Sequence, residues 1–166
     1  MKYTHHVKSA TVAAVALLLA LALTPLSVQA ATATASMGIS ATVVKNCTVS
    51  ASPLAFGSYS GAALANTTTI SVTCSNTTTY AVALSAGSGT YASRTMLNGA
   101  ATLGYQLYNN SSDTQIFGDN NSDNTYTDSG TGNGTAQTYT VYGTFAANQF
   151  PTPGSYADTV TVTVTY

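Results

Sequence analysis

Side chains able to do chemistry are scarce in this sequence of 166 residues: five aspartates, no glutamate, two histidines, two cysteines and four Lys plus Arg. His5, His6, Lys2 and Lys8 stand ahead of the apolar run AVALLLALAL. That basic start, the apolar stretch from Val12 to Leu23, Pro25 and the small-residue site Val28-Gln29-Ala30 predict a secretory signal peptide over residues 1–30. A retained membrane anchor is the rival reading. It falls short of the ~20 apolar residues a spanning helix needs.

Beyond Ala30 the only cations are Lys45 and Arg94, set against Asp113, Asp119, Asp123, Asp128 and Asp158, for a net charge of −3. No histidine remains there, so the usual general base and the commonest metal ligand are both missing. A Ser-His-Asp or Cys-His site cannot be assembled, and no aspartates are spaced as an evident acid/base pair, so neither an enzyme nor a cofactor is expected. Two cations neutralise too few phosphates to hold a nucleic acid. No basic amphipathic stretch exists to lie on a membrane.

Cys47 and Cys74, an even count in an exported chain, are most simply one disulfide, with two reduced core thiols as the alternative. The stretch DNNSDNTYTDSGTGN, residues 119–133, is rich in turn formers and reads as an exposed loop with no strand. Asp119, Asp123 and Asp128 within it could offer oxygens to calcium. Their spacing is not that of an EF-hand, and no bidentate Glu follows.

The elements that hold these residues follow from period-two alternation. With no Glu and almost no Lys, the best surface formers of helices are absent, while Thr, Ser, Asn and Gly abound. Apolar faces recur at Ile70, Val72 and Cys74, at Tyr80, Val82 and Leu84, and at Leu103, Tyr105 and Leu107. Two longer runs follow: Tyr139, Val141, Gly143 and Phe145, then Tyr156, Val160, Val162, Val164 and Tyr166, each alternating largely with threonines. Gly, Pro and Asn clusters separate them. An all-β, antiparallel, immunoglobulin-like sandwich is expected, with a closed barrel as its rival.

The segment ATATASMGISATVVKNC does not fit that core. Ala33, Ala35, Met37, Ile39, Ala41 and Val43 make one apolar face, but a continuing strand would turn Lys45 into it, an improbable core residue. A bend or bulge near Val44 to Asn46 is therefore expected, with a second strand starting near Cys47. The first strand is either the ordinary opening strand of its own sandwich or a donor that inserts into a groove of a neighbouring subunit. Head-to-tail donation need not close, and its product is an open fibre.

Several segments carry a resemblance: SATVVKNCTVSASPLAFGSY, TTISVTCSNTTTYAVALSAG, RTML at Arg94 to Leu97, LGYQLYNN, TYTVYGTF and PGSYADTVTVTVTY. Together they resemble the spore coat protein U domain family, in particular the rod subunits of Csu-type, archaic chaperone-usher pili. One departure is Phe117 in IFGD, where the family often carries Trp. The resemblance implies an incomplete immunoglobulin-like β-sandwich over residues 45–166, completed by donor-strand exchange through a donor strand over residues 31–44. Donor side chains would be Ala35, Met37, Ile39, Ala41 and Val43. The disulfide would join Cys47 to Cys74. Val160, Val162 and Val164 would form part of the acceptor groove, facing neighbours from the strand at Cys47. Implied partners are identical and related pilin subunits, a periplasmic chaperone and an outer-membrane usher. The implied place is the cell surface, as a major rod pilin of adhesive, biofilm-promoting fibres. A secreted carbohydrate- or surface-binding sandwich, using the chain's tyrosines as stacking faces, is the competing function.

Overall fold

A computed structural model describes residues 29–121 and 125–166. The expected signal peptide lies outside the described residues, apart from Gln29 and Ala30, and so does Asp123. The chain divides after Ala41. Of the first unit, residues 29–41 form no strand, and Met37 and Ile39 are 80% and 85% exposed.

The second unit is all-β, and no helix occurs among the described residues. Its strands are β1 (Cys47–Ala51), β2 (Leu64–Cys74), β3 (Thr79–Leu84), β4 (Arg94–Asn98), β5 (Ala101–Tyr108), β6 (Asp128–Thr131), β7 (Ala136–Phe145) and β8 (Val162–Thr165). They make a five-stranded sheet in the order β1-β2-β7-β5-β4 and a three-stranded sheet in the order β6-β3-β8, with every strand pair antiparallel. The β-branched and aromatic alternation read from the sequence lies where a pleated sheet needs it: Ile70, Val72, Cys74, Tyr80, Val82, Leu84, Leu103, Tyr105, Leu107, Val141 and Phe145 are all buried. Phe117 joins them, fully buried.

Two expectations need correction. The 119–133 stretch is not wholly an exposed loop: Asp128–Thr131 is β6, paired with β3, and Thr125 is buried. Main-chain pairing requires no apolar side chains, and Gly130 leaves room for the hydroxyls of Tyr80 and Tyr139, where a Cβ would collide with both. The closing run is also not one long strand. Only Val162–Thr165 pairs as β8, alongside β3, while Ala157 exchanges two main-chain hydrogen bonds with Leu97 of β4 (2.9 and 3.1 Å). The chain thus passes from one sheet to the other between these points, and the stretch between is left without a ladder.

Candidate functional site: an open groove between two sheet edges

Each sheet ends in a strand paired on one side only, β1 in the larger sheet and β8 in the smaller. An unpaired edge presents main-chain N–H and C=O groups to whatever can pair with them. The side chains on these two edges show the same incompleteness. Val49 of β1 is 42% exposed, whereas its cross-strand neighbour Val72 is fully buried. Val160, Val162 and Val164 lean on the core yet are only partly buried. Cys47 and Cys74, opposite each other in the β1–β2 register, form the disulfide and fasten β1 to the sheet.

Upstream of β8 a cavity of about 890 Å³ lies between residues 54–61 and 149–158, two stretches that contain no strand. Met96, Leu103 and Phe145 line it from the core, and Leu54, Phe56, Tyr59 and Tyr156 from the flanking stretches. Phe56 and Tyr59 pack on Phe145 with ring centroids 4.3 and 5.5 Å away. Val160, Val162 and Val164 do not line this cavity; they are partly buried against the core. Sequence reasoning named those valines and did not name the wall over residues 54–59. The alternation of Leu54 and Phe56 in SPLAFGSY was its available signal.

The cavity walls are pinned by polar contacts. The Tyr59 hydroxyl donates to the Ala146 carbonyl (2.8 Å) and accepts from the Gln149 N–H (3.0 Å). The Gln149 amide brackets the main chain of Gly104, accepting from its N–H and donating to its carbonyl, both at 2.8 Å. On the other flank Asp158 accepts from the Tyr105 hydroxyl (2.6 Å), the Ser88 hydroxyl (2.7 Å) and the N–H groups of Ser88 and Thr159 (3.0 and 2.8 Å). Gly87, at φ +70°, lies so close that a Cβ there would collide with the Asp158 carboxylate. Partial burial raises the Asp158 pKa, but hydrogen bonds from Tyr105, Ser88 and Thr159 overcome it and hold the carboxyl below its ordinary 3.8. Burial, then the Asp158 hydrogen bond, push the Tyr105 phenol upward.

Arg94, one of two cations beyond Ala30, is fully buried. Its guanidinium donates to Gln106 Oε1 (2.8 Å) and to the carbonyls of Ser85 (2.9 Å) and Phe117 (2.7 Å), and sits 5.4 Å from the Tyr91 ring centroid. Desolvation lowers its pKa, with Tyr105, Tyr91 and Asp158 opposing. It fastens β4 to β5 and to the segment before the 119–133 stretch, a role its sequence context did not disclose.

Among the described residues no group of three or more His, Cys, Asp or Glu could hold a metal ion. Asp119 accepts from Asn121 N–H and the Thr125 hydroxyl, and Asp128 from Asn109. No described helix is long and apolar enough to cross a membrane.

A two-sheet antiparallel sandwich whose edge strands β1 and β8 carry half-covered apolar side chains is an immunoglobulin-like domain lacking a strand. The Spore Coat Protein U domain model matches residues 33–163, and the chain belongs to that family. Among solved structures it is similar to a chain of the CsuC–CsuE chaperone–tip adhesion subunit pre-assembly complex from archaic chaperone-usher Csu pili of Acinetobacter baumannii. The two share 26% identity at a TM-score of 0.58, over 75% of this chain and 41% of that one, so this chain spans less than half the length of its relative. No curated protein matches it.

Proposed function

We propose that this chain is an exported pilus subunit of the archaic chaperone-usher type, a major rod pilin whose segment 31–44 is a donor strand for the next subunit. Its acceptor would be the trough between β1 and β8, first occupied by a periplasmic chaperone and then, at an outer-membrane usher, by the donor of a second copy. The observation that carries this reading is the paired defect: two free edges flanking an apolar trough, and, in the same sequence, an alternating apolar segment that forms no strand. Ala35, Met37, Ile39, Ala41 and Val43 would fill the trough, with Val160, Val162 and Val164 along one side. Burying such a face removes several hundred Å² from water at ~25 cal/mol per Å², before ordering costs. Surface fibres promoting adhesion and biofilm would follow.

The test is oxidised protein lacking residues 31–43, with and without a synthetic peptide of that segment. The expected result is a subunit that no longer polymerises and whose melting temperature rises when the peptide is added. A truncated chain that melts like the full one and ignores the peptide has a complete sandwich, and the reading fails.

A further inference from the structure

A second depression lies away from the trough, where the loop 109–115 overhangs the β2–β7 pair. It is open to solvent, has a volume of about 360 Å³ and is lined by Ala65, Asn66, Thr67, Ser111, Asp113, Tyr142, Gly143 and Thr144. Antiparallel register aligns Thr67 of β2 with Tyr142 of β7, and Tyr142 with Tyr108 of β5, so the two tyrosines are cross-strand partners on this sheet. The loop is built rigidly around Asn110. That side chain accepts from the N–H groups of Thr114 and Gln115 (3.2 and 3.0 Å) and donates to the hydroxyls of Ser112 and Thr114, both at 2.7 Å. The fold therefore holds Asp113 at the rim of the cleft in a left-handed backbone conformation (φ 52°), uncommon for a residue with a Cβ.

The chemistry of the lining narrows what could bind. Among the described residues no side-chain hydrogen bond engages the Asp113 carboxylate or the hydroxyls of Ser111, Thr67, Tyr142 and Thr144. A phosphate or other anion would meet a carboxylate and no cation. An apolar ligand would strand these oxygens. A calcium ion takes six to eight oxygens, and its tight sites use several carboxylates, where this cleft offers one. A neutral, hydroxyl-rich ring meets each requirement: its apolar face stacks on Tyr142, and its vicinal hydroxyls donate to Asp113. We propose that this cleft is a saccharide-binding subsite sized for one pyranose unit. Monovalent affinity would be weak. In the fibre proposed above, and there alone, one cleft per subunit would multiply into high avidity without any new contact.

The test does not depend on donor-strand assembly, because ligand-observed saturation-transfer NMR reads binding to monomer and polymer alike. The probes are the methyl glycosides of glucose, galactose, mannose and N-acetylglucosamine, each titrated to about 50 mM with the full exported chain. Saturation transfer to at least one is expected, with a Kd on the order of millimolar. Asp113→Asn should weaken it about tenfold, the value of a charge-assisted hydrogen bond. Tyr142→Ala should abolish it and Tyr142→Phe should retain most of it, a pair that separates loss of the ring from misfolding. Thr69→Ala, on β2 beyond Thr67 and outside the cleft, should change nothing. No transfer from any of the four glycosides, or transfer undiminished in Asp113→Asn and Tyr142→Ala, overturns the proposal, as does binding that requires added calcium.

Discussion

Val72 and Val164 read alike in the sequence, each a valine alternating with hydroxylated neighbours, yet one is fully buried and the other only half covered. Val72 sits on β2, between β1 and β7. Val164 sits on β8, which has β3 on one side and no strand on the other. The closed half of the sandwich and its open half are thus made of the same alternating pattern. What separates them is whether a neighbouring strand is present, and a half-covered valine marks where one is missing.

The comparison can be broken most completely at the donor. Ile39→Asp places a charge on the apolar face proposed to fill the trough, and polymerisation should be lost entirely by size exclusion and electron microscopy while the disulfide still forms. Normal fibres from that variant would sever the link between the exposed segment and the open half.

Truncations in the two halves should differ next. Ile70→Ala, on β2 in the closed half, should cost about 3 kcal/mol of unfolding free energy whether or not the donor peptide is present, since its surroundings are already complete. Val164→Ala should cost less than about 1 kcal/mol in the lone subunit and distinctly more with the peptide bound, because burial at that position is completed only then. Denaturant melts with and without peptide measure both. Equal costs in the two states would show that β8 gains no neighbour.

Removing the tie at the open edge by Cys47→Ser with Cys74→Ser should destabilise the subunit by about 3 kcal/mol, the typical value for one disulfide in a small exported domain. The loss should appear as a lower denaturant midpoint and a raised hydrogen-exchange rate concentrated in β1.

The smallest effect concerns acid. Asp158 titrates below its ordinary value in the folded state, so its contribution is complete above the unfolded pKa and is lost as pH falls through the folded one. Stability should decline below about pH 4, and Asp158→Asn should flatten that limb. Asp128 works in the opposite sense, raised by burial against the lowering hydrogen bond from Asn109, and Asp128→Asn should leave the limb in place.

Strand faces were legible wherever apolar residues alternate over at least three positions, as in β2, β3, β5 and β7, because burial on one face of a pleat imposes that period. β6 was hidden because Asp128–Thr131 contributes main-chain hydrogen bonds and a glycine that makes room for tyrosine hydroxyls, neither of which leaves an apolar period. Arg94 was hidden for a related reason: its partners include the carbonyls of Ser85 and Phe117, and a carbonyl carries no residue signature.

By itself the sequence determined the all-β class, the inward faces of the main strands, the pair of cysteines available to bridge, the shortage of catalytic groups, and the break in pattern at Lys45 that sets the segment before it apart. Alternation, charge and residue type are local quantities, and each is written along the chain. Only the tertiary structure decided which strands lie at the edges, that a cavity opens between residues 54–61 and 149–158, and that Asp113 and Tyr142 line one cleft. Those facts depend on which distant segments become neighbours, and in a sheet neighbours are chosen through main-chain groups that are the same at nearly every residue.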